Sequence, residues 1–183
     1  MSLGLNDTLN TFGSIGKTKT GWKNYCTGVI VSDQAILSAA HCFKDGSHLS
    51  VRTGDEILND PNDDQYADTY TMNTVITHPD YVGGVSYDLA VIFTTEKIKF
   101  NSHTKPICLP QSYSYDDYSA HTAYIAGWGR HDGGVQERKI PLREATLTIL
   151  SQAYCKFFYK GYELTSKVMC AGNEVSQISV RVS

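Results

Sequence analysis

The chain has 183 residues, five cysteines and a nearly balanced charge, with 16 Lys and Arg against 19 Asp and Glu. Its length suits one domain with a substantial core. It has no basic run of the kind that binds nucleic acid, and no apolar run of about 18 residues that could span a membrane. Twelve tyrosines and short runs rich in valine, isoleucine and threonine favour strands, so the composition predicts an all-β protein.

The cysteines indicate an oxidising compartment, because cytosolic proteins of this size rarely use five of them structurally. No two stand in a C-x-x-C pair, so no zinc site is predicted. The N-terminus has neither the charged start nor the apolar core of an export signal. Disulfide-type cysteines without an export signal lead us to expect a fragment, or a processed piece, of a larger protein.

The predicted elements begin after residues 1–20, a polar and glycine-bearing segment without a clear period, which we expect to be loosely ordered. Short apolar runs broken by turn residues predict two strands between Tyr25 and Ser38. Ser151 is a typical N-cap residue and predicts a short helix that includes Cys155. Alternation of apolar and polar residues predicts four further strands, at 49–53, 70–78, 122–125 and 143–150.

Residues 55–64, called the acidic loop below, contain five carboxylates within ten residues. Such a loop could wrap a calcium ion, which takes about six to eight oxygen ligands. The spacing does not match an EF-hand, so we expect a solvated acidic loop, with calcium as the alternative. No other metal or cofactor is predicted.

Five motifs then follow one another along the chain. They are Leu37-Ser38-Ala39-Ala40-His41-Cys42, Tyr87-Asp88-Leu89-Ala90-Val91-Ile92-Phe93, Pro106-Ile107-Cys108-Leu109-Pro110, Ala126-Gly127-Trp128-Gly129 and Val168-Met169-Cys170-Ala171-Gly172. In this order they resemble the trypsin-like (chymotrypsin-fold) serine proteases. The resemblance implies a two-barrel fold. Its parts are a first barrel at 21–110, a connector at 111–120, a second barrel at 121–172 and a tail at 173–183 that resembles nothing in the family.

The resemblance makes His41 the general base of a catalytic triad and Asp88 the carboxylate that orients it. A histidine by itself is more often a non-catalytic residue, and Asp88 could be a turn aspartate before a buried strand. An aspartate that opens an apolar run is costly to bury unless its charge is hydrogen-bonded. The paired motifs therefore favour the catalytic interpretation.

The resemblance also implies two disulfides, Cys26–Cys42 and Cys155–Cys170, and leaves Cys108 unpaired. In relatives with extra N-terminal modules the matching cysteine bonds to an upstream segment, so a disulfide from Cys108 to a missing segment is expected. Some members of the family hold calcium in the loop that corresponds to the acidic loop.

The third member of the triad is missing from the pattern. The family's nucleophile motif, Gly-Asp-Ser-Gly-Gly-Pro, is absent from the 183 residues. Ser183 stands at a plausible spacing after Cys170, whereas Ser176 and Ser179 come too early. None of the three has the glycines that build the motif's tight turn and oxyanion amides. Two-barrel domains of this type run to about 200–250 residues. The first barrel is therefore predicted to be near complete and the second truncated.

These features predict that the parent protein is an extracellular endopeptidase that acts on protein or peptide substrates. The chain as given is expected not to catalyse, because it lacks the nucleophile. Two alternatives stay open: a non-catalytic, protease-like binding module or decoy, and a splice variant or gene-model fragment without a function of its own. No nucleic-acid or membrane partner is expected.

Overall fold

The structure, a computed structural model, describes residues 9–18, 22–44, 49–110, 118–129, 139–159, 164, 168–172 and 181–182. These residues form twelve strands and one α-helix, so the predicted all-β class is confirmed. The strands are β1 (Phe12–Thr18), β2 (Trp22–Ile30), β3 (Ala35–Ser38), β4 (Ser50–Thr53), β5 (Ile57–Leu58), β6 (Asp68–Thr77), β7 (Ala90–Thr94), β8 (Thr122–Gly127), β9 (Ile140–Pro141), β10 (Arg143–Leu150), β11 (Met169–Gly172) and β12 (Arg181–Val182). The helix, α1, is Gln152–Phe158.

The first half of the chain closes into a six-stranded barrel in the order β1-β2-β3-β7-β6-β4, with β4 pairing back onto β1. Every neighbouring pair is antiparallel. The inward-facing side chains are mostly aliphatic, as the alternation of the strands predicts. The barrel core consists of Ile15, Ile30, Ile36, Leu49, Val51, Tyr70, Ile92 and Ile98.

Strand β1 corrects part of the prediction that residues 1–20 are loosely ordered, of which 1–8 and 19–20 lie outside the described residues. Phe12–Thr18 lies between β2 and β4, and Ile15 is completely buried. The strand has no alternating pattern because a glycine stands where a side chain does not fit: a Cβ at Gly16 would overlap the carbonyl oxygen of Lys23. Close backbone approach of this kind is one reason for glycine inside a strand. The first barrel therefore begins before residue 21.

The second half forms a four-stranded antiparallel sheet in the order β12-β11-β10-β8. The predicted short helix follows β10, and the Ser151 side chain accepts a hydrogen bond from the Tyr154 amide at 3.2 Å, as an N-cap does. Strand β12 lies in the segment that was expected to be a non-family tail, and it pairs with Met169 and Cys170. Within the described residues this sheet is open, whereas the first is closed.

Two disulfides tie neighbouring elements together. Cys26 of β2 is bonded to Cys42, with 6.3 Å between their Cα atoms. Cys155 of α1 is bonded to Cys170 of β11, with a Cα–Cα distance of 6.1 Å. Cys108 is a free, exposed cysteine. Its disulfide to a segment outside these residues therefore stays a prediction.

The acidic loop joins the two halves, so the expectation of a solvated loop holds only in part: Asp55, Leu58 and Asp60 are buried, whereas Glu56 and Asp64 are exposed. Its strand β5 pairs with β9, and the Glu56 carbonyl accepts a hydrogen bond from the Leu142 amide at 2.7 Å. Leu58 is completely buried and packs with Trp22 and Trp128. The side of the loop that faces the protein is thus an apolar and hydrogen-bonded junction, which we call the two-tryptophan junction.

The disulfide between Cys26 and Cys42 should be a main stabiliser of the first barrel. Closing a loop of about 15 residues restricts the unfolded chain by roughly 3 kcal/mol. We therefore expect the double substitution Cys26→Ala/Cys42→Ala to lower the free energy of unfolding by about that amount, measured by urea titration. Cys108→Ala is the control and should leave the urea midpoint unchanged. An equal loss in the control would contradict the prediction.

Asp55 should make stability depend on pH. Burial raises the pKa of Asp55 to about 6 from 3.8, and the adjacent Arg52 guanidinium only partly offsets this. Between pH 4 and 6, roughly, the folded state holds a proton that the unfolded state has lost, so the free energy of unfolding falls as the pH rises through this window.

Two pKa units correspond to at most about 3 kcal/mol. Asp55→Asn removes the titrating group. As the pH rises from about 4 to about 6, the free energy of unfolding of this variant should therefore increase relative to that of the wild type. Urea midpoints measured for both proteins across the window test this. Curves that stay parallel would show that Asp55 does not titrate there.

Candidate active site

Strand register brings His41 and Asp88 to the same end of the first barrel. Strands β3 and β7 pair with Ser38 opposite Ala90. His41 lies in a single 3-10 turn, Ala40–Phe43, that follows β3, and Asp88 lies just before β7. Residues 47 apart in sequence therefore meet because their strands are direct neighbours.

The Asp88 carboxylate contacts His41 with both of its oxygens. Its Oδ1 accepts a hydrogen bond from the His41 amide at 2.8 Å, and its Oδ2 lies 2.7 Å from the imidazole Nδ1. The carboxylate is buried, with a side-chain exposure of 4%, whereas that of the imidazole is 52%. Because a carboxylate only accepts, Nδ1 carries the proton of the neutral ring and Nε2 is left as the acceptor.

The turn that aims Asp88 inward depends on Tyr87, which sequence analysis did not single out for this role. Tyr87 has φ 58°, a backbone conformation that is uncommon for a bulky residue other than glycine. Its carbonyl accepts a hydrogen bond from the Leu89 amide at 2.7 Å, and its ring stacks on His78 with 4.7 Å between centroids. No pattern in the sequence marks this conformation, because Asn and Asp are the non-glycine residues that favour it.

The Cys26–Cys42 disulfide lies directly beside the His41 imidazole. The Cys42 sulfur is 3.7 Å from His41 Nε2. The two sulfurs and the ring nitrogens come close enough to suggest a metal cluster. Both sulfurs are bonded to each other, however, and a metal needs the free thiolate. The disulfide therefore ties the turn that carries His41 to β2.

The three serines considered as nucleophiles lie outside the described residues. They are Ser176, Ser179 and Ser183. The site that the structure describes therefore consists of His41, the buried Asp88 carboxylate that contacts it and the disulfide beside them.

Comparison with known proteins gives one consistent family. A family model described as Trypsin matches residues 10–180. The chain belongs to the trypsin family. It is 31% identical to venom serine protease Bi-VSP of Bombus ignitus over 160 residues, which cover 82% of this chain and 43% of that protein. It is also 31% identical to serine protease 1 of Rattus norvegicus over 152 residues, which cover 81% of this chain and 58% of that protein.

Among solved structures, the trypsin-family chain is similar to neuropsin, a serine protease expressed in the limbic system of mouse brain. The TM-score is 0.77 at 26% identity, over 91% of this chain and 71% of that one. The chain spans about half the length of the Bombus ignitus and Rattus norvegicus proteases. The family match also runs past Gly172 to residue 180, beyond the point where sequence analysis ended it.

The acidic loop of this trypsin-family chain does not fit calcium, which sequence analysis left as the alternative. Asp55 and Asp64 both bind the Arg52 side chain. Asp60 binds Lys139 at 2.7 Å. Asp63 accepts hydrogen bonds from two backbone amides of the loop. Four of the five carboxylates therefore already have partners in the protein, and one partner is a guanidinium, which repels a metal cation.

The two contacts to Asp88 should stabilise the histidine turn. Asp88→Ala would leave the His41 amide and Nδ1 without their acceptor, and hydrogen bonds to charged groups contribute about 1.5–3 kcal/mol each. We expect a fall of that size in the free energy of unfolding, together with faster hydrogen exchange of the His41 amide.

Asp33→Ala is the matched control, because it removes an aspartate whose ion pair with Lys97 is exposed. Such pairs contribute at most about 1 kcal/mol. Equal losses in the two variants, with His41 exchange unchanged, would mean that Asp88 does not hold the turn.

Proposed function

We propose that the 183-residue polypeptide carries the base and the orienting carboxylate of a trypsin-family endopeptidase, and that by itself it does not hydrolyse peptide bonds. One observation supports this most directly. His41 and Asp88 have the geometry that the chemistry needs, yet the sequence has no Gly-Asp-Ser-Gly-Gly segment to supply a nucleophile. The general base is therefore present without a hydroxyl to deprotonate.

The proposed roles follow from the protonation of the site. In amide hydrolysis of this kind a serine hydroxyl attacks the carbonyl, and the imidazole takes its proton. Asp88 holds the proton on Nδ1, which leaves Nε2 as an acceptor on an exposed ring. Asp88 also stabilises the imidazolium that forms when Nε2 is protonated. These two steps are the part of the chemistry for which this chain carries the residues.

We further infer that the protein acts outside the cell and that any substrate of a longer form is a protein or peptide. Its two disulfides support an oxidising compartment. Venom serine proteases of Bombus ignitus and Polistes dominula are among its relatives. No helix in the part of the chain that the structure describes is long and apolar enough to cross a membrane.

A serine-directed fluorophosphonate probe tests the proposed lack of catalysis. Loss of the nucleophile from such a triad lowers turnover by about 10⁶-fold, so the 183-residue protein should stay unlabelled and peptide substrates should stay intact. Trypsin-3 of Salmo salar, a relative at 31% identity, serves as the positive control. Stoichiometric labelling of Ser176, Ser179 or Ser183 that disappears in His41→Ala would overturn the proposal.

A further inference from the structure

Arg52 lies at the centre of the acidic loop. Its Nε binds Asp55 and one of its terminal nitrogens binds Asp64. These two residues are the first and the last of the loop. The Arg52 side chain is only 16% exposed. Its guanidinium carbon lies 5.9 Å from the centre of the Trp22 ring, within the range of a cation–π contact.

Two further carboxylates of the loop, Asp63 and Asp60, also have partners within the protein. Asp63 accepts hydrogen bonds from the amides of Glu56 and Ile57 at 2.6 and 2.7 Å. Asp60 binds Lys139 at 2.7 Å, and Lys139 directly precedes β9. Charges within the loop are therefore neutralised by side chains and amides of this protein, from both the first barrel and the second half.

We propose that Arg52 is the internal cation of the acidic loop, and that it makes the loop and the two-tryptophan junction independent of calcium. The geometry is specific. A planar guanidinium presents several donors in a fixed fork and so can hold two carboxylates at once. A calcium ion would need about six to eight oxygens, and four of the five carboxylates of the loop are already bound to groups of the protein.

One oxygen of the acidic loop is of the kind that can bind a metal ion. Asp55 Oδ1 is buried and has no hydrogen-bond partner. One buried free oxygen does not make a calcium shell, and the other oxygen of the same carboxylate is bound to Arg52. A divalent ion at Asp55 would therefore lie beside the guanidinium, where its charge is repelled.

The loop that Arg52 holds is also the connection between the two halves. Ile57 and Leu58 pair with Pro141 and Ile140. The Glu56 carbonyl, next to Asp55, accepts a hydrogen bond from the Trp128 indole at 3.3 Å. Loss of the internal cation should therefore loosen the junction as well as the loop.

The only two tryptophans of the chain, Trp22 and Trp128, both lie in this junction. Intrinsic fluorescence of the 183-residue protein therefore reports on the junction directly. Thermal unfolding would be followed by this signal in calcium and in EDTA, for the wild type and for Arg52→Gln. Lys97→Gln is the control, because it removes a cation from an exposed ion pair remote in sequence.

We expect the wild type to unfold at the same temperature in calcium and in EDTA, and to bind calcium more weakly than about 1 mM by calorimetry, the weak limit of extracellular calcium modules. Arg52→Gln should unfold at a lower temperature in EDTA and recover part of the loss in calcium, because the freed carboxylates can then bind the ion. Lys97→Gln should behave as the wild type does.

Two results with the first set of variants would overturn the proposal. One is a wild-type unfolding temperature that rises with calcium, with the rise abolished by Asp64→Asn, because the loop would then be a metal site. The other is an Arg52→Gln protein as stable in EDTA as the wild type. If Arg52→Gln does not fold, Arg52→Lys is used, which keeps the charge but loses the fork. It should lose stability and stay indifferent to calcium, and a calcium-dependent Arg52→Lys protein would equally contradict the proposal.

Discussion

The contact between Asp88 and His41 is the constraint on which the candidate site depends. One buried carboxylate accepts from the backbone of the histidine turn and contacts its ring at the same time. The first contact places the turn, and the second sets the tautomer of the imidazole. A buried charge is costly unless hydrogen-bonded, so these contacts also satisfy Asp88. The same contacts therefore position the His41 imidazole and allow the Asp88 carboxylate to be buried.

This interaction depends only on the first barrel. His41 and Asp88 follow and precede neighbouring strands, and the disulfide beside them joins two segments of the same barrel. The second sheet contributes no residue to the contact. The first barrel by itself can therefore hold the His41 imidazole in place.

The two halves meet through a different kind of interaction. Two indole rings and Leu58 form an apolar cluster, and the acidic loop closes over it with backbone hydrogen bonds to residues 140–142. Burial of Leu58 favours this arrangement, but it brings buried carboxylates with it. Arg52 and Lys139 offset that cost with charges from the two sides of the junction. The loop therefore links a hydrophobic contact to an electrostatic one.

The sequence by itself determined the family, the all-β class, the candidate base and acid, and the strands with clear alternation. Each of these is carried by local motifs, whose side chains are needed for chemistry or for one buried face. Strand β1 was missed because Gly16 lies against the Lys23 backbone of the paired strand β2, a contact that only the folded sheet creates. The left-handed conformation of Tyr87 was missed because no local preference of a tyrosine favours it.

Only the tertiary structure decided how the charges are paired. Arg52 and the acidic loop are adjacent in sequence, and their composition fits either a solvated loop or a metal ligand set. Burial of Leu58 against the second half turns the loop inward and leaves its carboxylates to be neutralised from within the protein. Composition fixes how many charges a segment has, whereas packing fixes which of them lose water and therefore need a partner.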